Sequence, residues 1–183
     1  MVYRFIGYAI VSDDGMLADA RNVIPPEMIV PADQAFFMSA LDASAALVHG
    51  RNSAEQPTSP SRRRLIASRH VSGLQKDPDQ PSALIWNPQD VSVEEALKAL
   101  GAPDGDIAII GGTDIFGLFL PRYAAFHLTR ARGVRLPDGK PVFPGVPERT
   151  PEALLAEAGV SAGPVRMLDP ERQVSVTSWS RKA

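Results

Sequence analysis

Short runs of apolar and β-branched residues alternate with helical segments over most of the chain, and this alternation constrains the fold more than any other feature. Strands are predicted where the runs fall, at residues 3–12, 45–49, 65–68, 83–86, 106–110 and 123–130. Helices are predicted to begin at Pro31, Ser92 and Asp114. Strands that alternate with helices normally pair in parallel, and a parallel sheet needs cover on both faces. We therefore predict an α/β fold, with a mainly parallel, twisted sheet and helices on both faces.

The C-terminal part of the chain follows a different pattern. Residues 173–179 alternate, and with residues 164–169 they flank Asp169-Pro170, which is typical of a turn. We expect an antiparallel hairpin there, preceded by a short helix at 151–158. No internal repeat or linker divides the sequence, and 183 residues is the size of one domain. Residues 1–183 are therefore predicted to form a single domain.

Three polar or proline-rich stretches are predicted as loops, at residues 16–31, 53–61 and 72–82. The first of them holds Pro25, Pro26 and Pro31. Long ordered loops in compact domains are usually functional, so we expect this loop to take part in the site.

Composition excludes several classes of function. The chain has no cysteine, which rules out disulfides, Cys–zinc sites and thiol nucleophiles, and its three scattered histidines give no metal-site pattern. A net charge of −2 argues against a broad nucleic-acid-binding surface. No apolar run approaches the ~20 residues that span a bilayer, and the N-terminus lacks the pattern of a signal peptide. We expect a cytoplasmic protein with no metal, nucleic-acid or membrane partner.

The ends of three predicted strands carry residues suited to binding phosphate. These are Gly50-Arg51-Asn52-Ser53, Ser68-Arg69 and Gly111-Gly112-Thr113-Asp114. Ligands of open α/β sheets bind at the carboxyl ends of the strands, glycine lets a backbone approach a diphosphate, and arginine offers a bidentate fork. Together the three ends suit a dinucleotide with an extra phosphate. The alternative is that Gly111-Gly112 forms only a tight strand-to-helix turn, since no GxGxxG motif is present.

Asp33 is the carboxylate of most interest. It opens a helix that also carries Phe36 and Phe37, directly after the proline-rich loop. A buried carboxylate there would accept two parallel N–H donors from a flat, nitrogen-rich ring. The alternative is an ordinary N-cap or first-turn acid. The run 62–64 is likewise either a solvated charge run or the source of an arginine for a ligand carboxylate.

Taken together, these segments resemble the dihydrofolate reductase family over essentially the full length. The segments that carry the resemblance are AIVSDDGMLA, VPADQAFFMSALDASAALVHGRNS, SRRRLIASR and IAIIGGTDIFGLFLPRYAAFHLTRARGVRLPDGKPVFP. The second is the most specific, because it pairs an acid-bearing helix with a Gly-Arg-x-Ser turn after the next strand.

The resemblance implies a substrate site built around Asp33 as the pterin-binding acid, linked to the buried Thr129. Phe37 is similar to the aromatic residue that packs on the substrate. Arg62, or Arg63 in its place, matches the arginine that binds the glutamate tail. Two further substrate-binding positions depart from the family pattern, with Met28 in the region where tryptophan is common and Phe116 where tyrosine is common.

The resemblance also implies an NADPH site and a mobile active-site loop at 15–30. The implied cofactor-binding residues are Ala9, Leu17, Ala18, Gly50, Arg51, Asn52, Ser53, Ser68, Arg69, Gly111, Gly112, Thr113, Asp114 and Ile115. Among them, Ser68 and Arg69 match the turn that meets the adenosine 2′-phosphate. Thr113 stands where a third glycine is usual, and Asp114 adds a negative charge beside the expected diphosphate.

The activity implied by the resemblance is NADPH-dependent reduction of 7,8-dihydrofolate to tetrahydrofolate, with hydride delivered to C6 of the pterin and a proton to N5. The stretches LDASAALVHGRN and VRLPDGKPVFP are also similar to the pyrimidine reductases of riboflavin biosynthesis. Two alternatives therefore stay open. One is a reductase of the same fold that acts on another pterin or on a ribosylated pyrimidine, and the other is a nucleotide-binding homologue without reductase activity. The sequence leaves the oligomeric state open.

Overall fold

The computed structural model describes residues 2–182, which form eleven strands and four α-helices. The strands are β1 (Tyr3–Val11), β2 (Met16–Ala18), β3 (Ala46–Gly50), β4 (Arg64–Ala67), β5 (Leu74–Lys76), β6 (Ala83–Trp86), β7 (Gly105–Ile109), β8 (Tyr123–Ala131), β9 (Lys140–Pro141), β10 (Val160–Asp169) and β11 (Val174–Arg181). The helices are α1 (Pro31–Ala43), α2 (Val93–Ala99), α3 (Thr113–Phe119) and α4 (Pro151–Glu157). Single 3₁₀ turns occur at Pro26–Met28 and Leu120–Arg122.

Nine of the strands form one sheet in the order β10-β11-β8-β1-β7-β3-β4-β6-β5. The six central strands, from β8 to β6, pair in parallel. The hairpin of β10 and β11 is antiparallel and joins the β8 edge, while β5 pairs antiparallel at the other edge. The prediction of a mainly parallel sheet with an antiparallel C-terminal hairpin is confirmed.

Helices cover both faces of this sheet. This cover is needed because successive side chains of the central strand β7 are apolar and point to opposite faces. Ile107 and Ile109 of β7 point into the large core beneath α2, α3 and α4. Ala108, between them, points the opposite way and packs with Leu41 of α1 and Leu47 of β3. Because side chains alternate with a period of two, each apolar run of the parallel strands is buried on both faces.

Most of the predicted elements differ from the structure by only one or two residues. Helix α2 begins as its sequence predicts, because the Ser92 hydroxyl and the Glu95 side chain form a reciprocal capping box. The predictions at 16–31 and 72–82 were wrong in that each loop contains a short strand, β2 and β5 respectively. A strand of three residues is too short to show a period in the sequence.

The loop from β2 to α1 is held at both of its ends. Strand β2 pairs with β9, and the Asp14 carboxylate before it accepts a hydrogen bond of 3.1 Å from the Leu136 backbone amide. At the far end, Met28 and Val30 are buried against β8 and β11. The loop therefore has a defined path along one side of the sheet.

A buried ion pair fixes the start of β4. The Arg64 guanidinium is fully buried and donates to both carboxylate oxygens of Glu55, at 2.8 and 2.7 Å, and to the Ser59 carbonyl at 2.9 Å. Burial alone would raise the pKa of Glu55, but the hydrogen bonds from Arg64 and the Ser59 amide lower it to about 2. The loop predicted at 53–61 is thus tied to the sheet by charge rather than by apolar contacts.

We predict that Glu55→Gln lowers the free energy of unfolding at pH 7 by about 3–5 kcal/mol, because it leaves Arg64 buried without a counter-charge. The Glu55 pKa lies below its ordinary value in the folded state, so its contribution is complete above pH 4.5 and is lost as the pH falls toward 2. The measurement is urea unfolding of both proteins between pH 3 and 7, with the exposed Glu148→Gln as the control. A difference that stays constant with pH would contradict the ion-pair account.

Candidate functional site

A cleft of about 1240 Å³ opens at the carboxyl ends of β3, β4 and β7. Helix α1 and the loop after β2 form one side of it, and the turns after the three strands form the other. Parallel strands place their carboxyl ends at one edge of the sheet, which is why segments far apart in sequence meet here.

Most of the residues predicted to bind substrate or cofactor line this one cleft. They are Ala9, Leu17, Ala18, Met28, Asp33, Phe37, Gly50, Arg51, Asn52, Ser53, Ser68, Arg69, Gly112, Thr113, Asp114, Ile115, Phe116 and Thr129. Two predicted residues, Arg62 and Gly111, are not part of the lining. The lining has two ends, which we call the ring end, around Asp33, and the turn end, around Gly50 and Gly112.

Asp33 lies in the first turn of α1 but does not cap the helix, since the N-cap residue is Val30. Its carboxyl group faces the sheet beside Thr129 of β8. Burial raises the pKa of this carboxyl, and a hydrogen bond from the Thr129 hydroxyl partly offsets the rise. A half-buried carboxylate with one neutral hydrogen-bond partner has acceptor capacity left for the N–H groups of a ligand.

Aromatic side chains form the wall of the ring end. Tyr8 stacks on His127 with ring centroids 5.0 Å apart, and Phe36 meets the edge of His127 at 5.5 Å. Burial raises the pKa of Tyr8 to about 12 and lowers the pKa of His127. Both rings are therefore neutral near pH 7, and the wall offers a flat ligand an uncharged surface.

Two glycine turns meet at the turn end. The Gly50 amide donates to the Gly111 carbonyl at 2.7 Å, which joins the ends of β3 and β7. A Cβ on Gly111 would lie 2.7 Å from the Phe116 ring, at a φ of +98°, and a Cβ on Gly112 would lie 3.2 Å from Ser53 Oγ. Glycine is therefore required at 111 by both conformation and space. At 112 it leaves backbone exposed where a side chain would otherwise stand.

Cationic side chains are found toward the turn end. Arg51 and Arg69 follow β3 and β4, and Arg69 pairs with Asp114 at 3.4 Å. Both partners are mostly exposed, so the pair is weak and leaves Arg69 free to meet an anion. Asp114 does not cap α3, because the N-cap residue is Gly112. The Asp114 carboxylate pairs with Arg69 instead.

Arg62 and Phe116 are placed differently from the expected substrate contacts. Arg62 is held by Asp42 and Glu55 and does not reach the lining. Phe116 is only 1 % exposed and packs edge-on against Phe126 and Phe143 in the core. Its role in the structure is to fill the space beneath the Gly111 turn.

The lining residues that sequence reasoning did not single out include Tyr8, His127 and Glu55. Strand alternation could have found His127, because it lies two residues before Thr129 on the same face of β8. Tyr8 faces His127 across the β1–β8 register. Glu55 has no such signal, since it stands in a polar loop whose partner at Arg64 is set by tertiary packing.

Residues 2–182 contain neither a cluster of metal-ligating side chains nor a membrane-spanning helix. No group of three or more His, Asp or Glu side chains in this range is placed to hold a metal ion. No helix in the same range has the length and hydropathy needed to cross a membrane.

Solved structures with this architecture include enzymes of two kinds. A dihydrofolate reductase from Enterococcus faecalis, complexed with NADP(H) and RAB-propyl, matches with a TM-score of 0.63 and 16 % identity over 98 % of this chain and 97 % of that one. A protein from Shewanella sp. PV-4 described as a riboflavin biosynthesis protein matches with a TM-score of 0.66 and 18 % identity over 98 % of this chain and 99 % of that one.

A third match is a diaminohydroxyphosphoribosylaminopyrimidine deaminase/5-amino-6-(5-phosphoribosylamino)uracil reductase from Thermotoga maritima, with a TM-score of 0.67 and 16 % identity. The match covers 99 % of this chain but only 57 % of that longer protein. No protein-family model and no curated protein sequence matches the chain. The chain therefore has the dihydrofolate reductase-like fold, with similarity to the pyrimidine reductases of riboflavin biosynthesis.

We predict that Asp33→Asn raises the melting temperature at pH 8 by about 2–4 °C, the shift that 1 kcal/mol produces in a chain of this size. Because the folded-state pKa of Asp33 lies above the ordinary value, the wild-type protein loses stability as the pH rises through that pKa, and the neutral amide does not. The gain should therefore shrink toward pH 4. Calorimetry at several pH values checks this, with the exposed Asp138→Asn as control, and a gain independent of pH would contradict it.

Proposed function

We propose that this protein is an NADPH-dependent reductase of a dihydropterin ring, able to reduce 7,8-dihydrofolate to tetrahydrofolate. The observation that carries the proposal is the position of Asp33, a half-buried carboxylate beside Thr129 in the same cleft as two glycine turns. A ring acceptor and a phosphate-binding edge must share one cavity if hydride is to pass between two bound molecules.

The residues of the turn end fit a phosphorylated dinucleotide. Gly50 and Gly112 leave backbone open to the cleft, which lets a diphosphate approach the main chain. Ser68 and Arg69 supply a hydroxyl and a guanidinium at the end of β4, suited to an additional phosphate on a ribose. When bound, NADPH supplies the hydride, and the protein supplies position and electrostatics.

The ring end would hold the acceptor. The Asp33 carboxylate accepts two N–H bonds from the edge of a pterin and favours the protonated form of the ring without touching N5 itself. Reduction of the N5=C6 bond places the hydride on C6 and a proton, taken from solvent water at the open side of the cleft, on N5. The uncharged aromatic wall and the loop that carries Leu17 and Ala18 keep water from the space between the two rings.

A second candidate function keeps the fold and changes the acceptor to a ribosylated pyrimidine. The position of Arg62 favours it, because the expected anchor for a glutamate tail is not in the cleft. A non-catalytic nucleotide-binding protein is the third reading, and the departures Thr113 and Asp114 from the usual glycine turn motivate it. A panel of dihydropterins and pyrimidine substrates separates the first two readings, and NADPH binding without turnover on any of them would support the third.

We predict that Asp33→Asn lowers kcat/KM for 7,8-dihydrofolate about 100-fold, because the ring loses its anionic partner. Binding of NADPH, measured by fluorescence, should change by less than about twofold. The exposed Glu27→Gln on the neighbouring loop is the matched control. Unaltered turnover in Asp33→Asn would remove this carboxylate from the mechanism.

We also predict that Arg69→Gln weakens NADPH binding about tenfold and leaves NADH binding unchanged, since only NADPH carries the 2′-phosphate. Titrations of each nucleotide followed by fluorescence give both dissociation constants. Arg63→Gln removes an exposed arginine outside the cleft and serves as the control. An equal loss for both nucleotides would show that Arg69 does not discriminate between them.

A further inference from the structure

Charge is distributed unevenly along the cleft. The cations of its lining, Arg51, Arg69 and Lys140, stand on the turns after β3 and β4 and on β9. The part between α1 and the segment 54–57 carries the carboxylates Asp33 and Glu55 and no lysine or arginine. This part therefore offers no free cation to an anionic group, since Glu55 is fully buried and already paired with Arg64 and Arg62.

Arg62, the arginine expected to bind a glutamate tail, is already neutralised. Arg62 donates from Nε and Nη2 to Asp42 Oδ1, at 3.1 and 2.5 Å, and from Nη1 to Glu55 Oε1 at 3.1 Å. Its side chain is only 11 % exposed. Asp42 lies on α1 and Glu55 lies in the segment 54–57, so Arg62 connects these two walls of the cleft. A substituent of the bound ring would leave the cleft between the same two walls.

An anionic substituent would meet a penalty on this path. To bind Arg62 it would have to displace Asp42 or Glu55, which already hold the guanidinium. Breaking either contact costs binding free energy, and the lining between α1 and the segment 54–57 supplies no free cation in exchange. Arg166 lies over Phe36, with its guanidinium 5.2 Å from the ring centroid, and is not part of the lining.

We propose that the ring end takes a flat heterocycle with a short, uncharged substituent, so that an unconjugated dihydropterin is a substrate at least as good as dihydrofolate. The inference rests on the proposed function and deepens it by naming the substrate class. Around the exit path, Met38, Pro57, Ile24 and Ile29 present apolar surface, which suits a small neutral group. Arg62 is then a structural clamp between α1 and the segment 54–57 and does not read the substrate.

The test compares 6-hydroxymethyl-7,8-dihydropterin with 7,8-dihydrofolate on the unaltered protein, at saturating NADPH and at two salt concentrations. The expected result is a kcat/KM for the tail-free pterin equal to or greater than that for dihydrofolate, with a KM for dihydrofolate that does not rise with salt. A preference of tenfold or more for dihydrofolate that weakens in salt would overturn the inference.

Two variants locate the source of any such preference. Arg62→Gln and Arg166→Gln should each change the KM for dihydrofolate by less than about twofold, with folding checked by circular dichroism. A selective rise of about tenfold in the KM for dihydrofolate, in either variant, would identify that arginine as a tail anchor and overturn the inference. Reduction of neither pterin would instead overturn the proposed function itself, and with it the inference. Reduction of both, with strong preference for the tailed one, would overturn the inference alone.

Discussion

The hydrogen bond from the Gly50 amide to the Gly111 carbonyl, 2.7 Å long, joins the two strand ends around which the cleft is built. Strands β3 and β7 are adjacent and parallel, so their carboxyl ends arrive at the same level. Glycine at 111 then turns the chain toward α3 without striking Phe116, and Gly112 leaves its backbone beside Ser53. The rest of the site depends on this junction, because α1 and the loop before it pack against the same sheet.

Asp33 lies at the ring end at a cost to the stability of the folded protein. A carboxylate at Asp33 is placed where burial raises its pKa, and only the Thr129 hydroxyl partly offsets the effect. Asp33 is not the capping residue of α1, since the N-cap is Val30, and it stands in the first turn of the helix. A charge held at a loss to stability in a cleft is typical of binding and catalytic sites.

The sequence predicted best those elements that depend on residues close together in the chain. Short runs of apolar and β-branched residues predicted β1, β3, β7 and β8, and the capping pattern of Ser92 and Glu95 predicted the start of α2. The strand ends placed Gly50 and Gly112 in one cleft because parallel topology brings them together. Arg62 could not be placed in the same way, since its partners at Asp42 and Glu55 depend on how a polar loop folds back on α1. His127 enters the site through strand register, which a single sequence specifies only weakly.

The central claim of this account is that the turn end and the ring end hold two molecules between which a hydride passes. The most direct measurement is a single-turnover reaction with NADPH that carries deuterium at both hydrogen positions of nicotinamide C4, followed by mass spectrometry and NMR of the reduced pterin. The account predicts one deuterium at C6 of the product and none at N5 after exchange with water. A reduced product without deuterium at C6 would contradict the claim, and so would the absence of any product while NADPH and the pterin both bind.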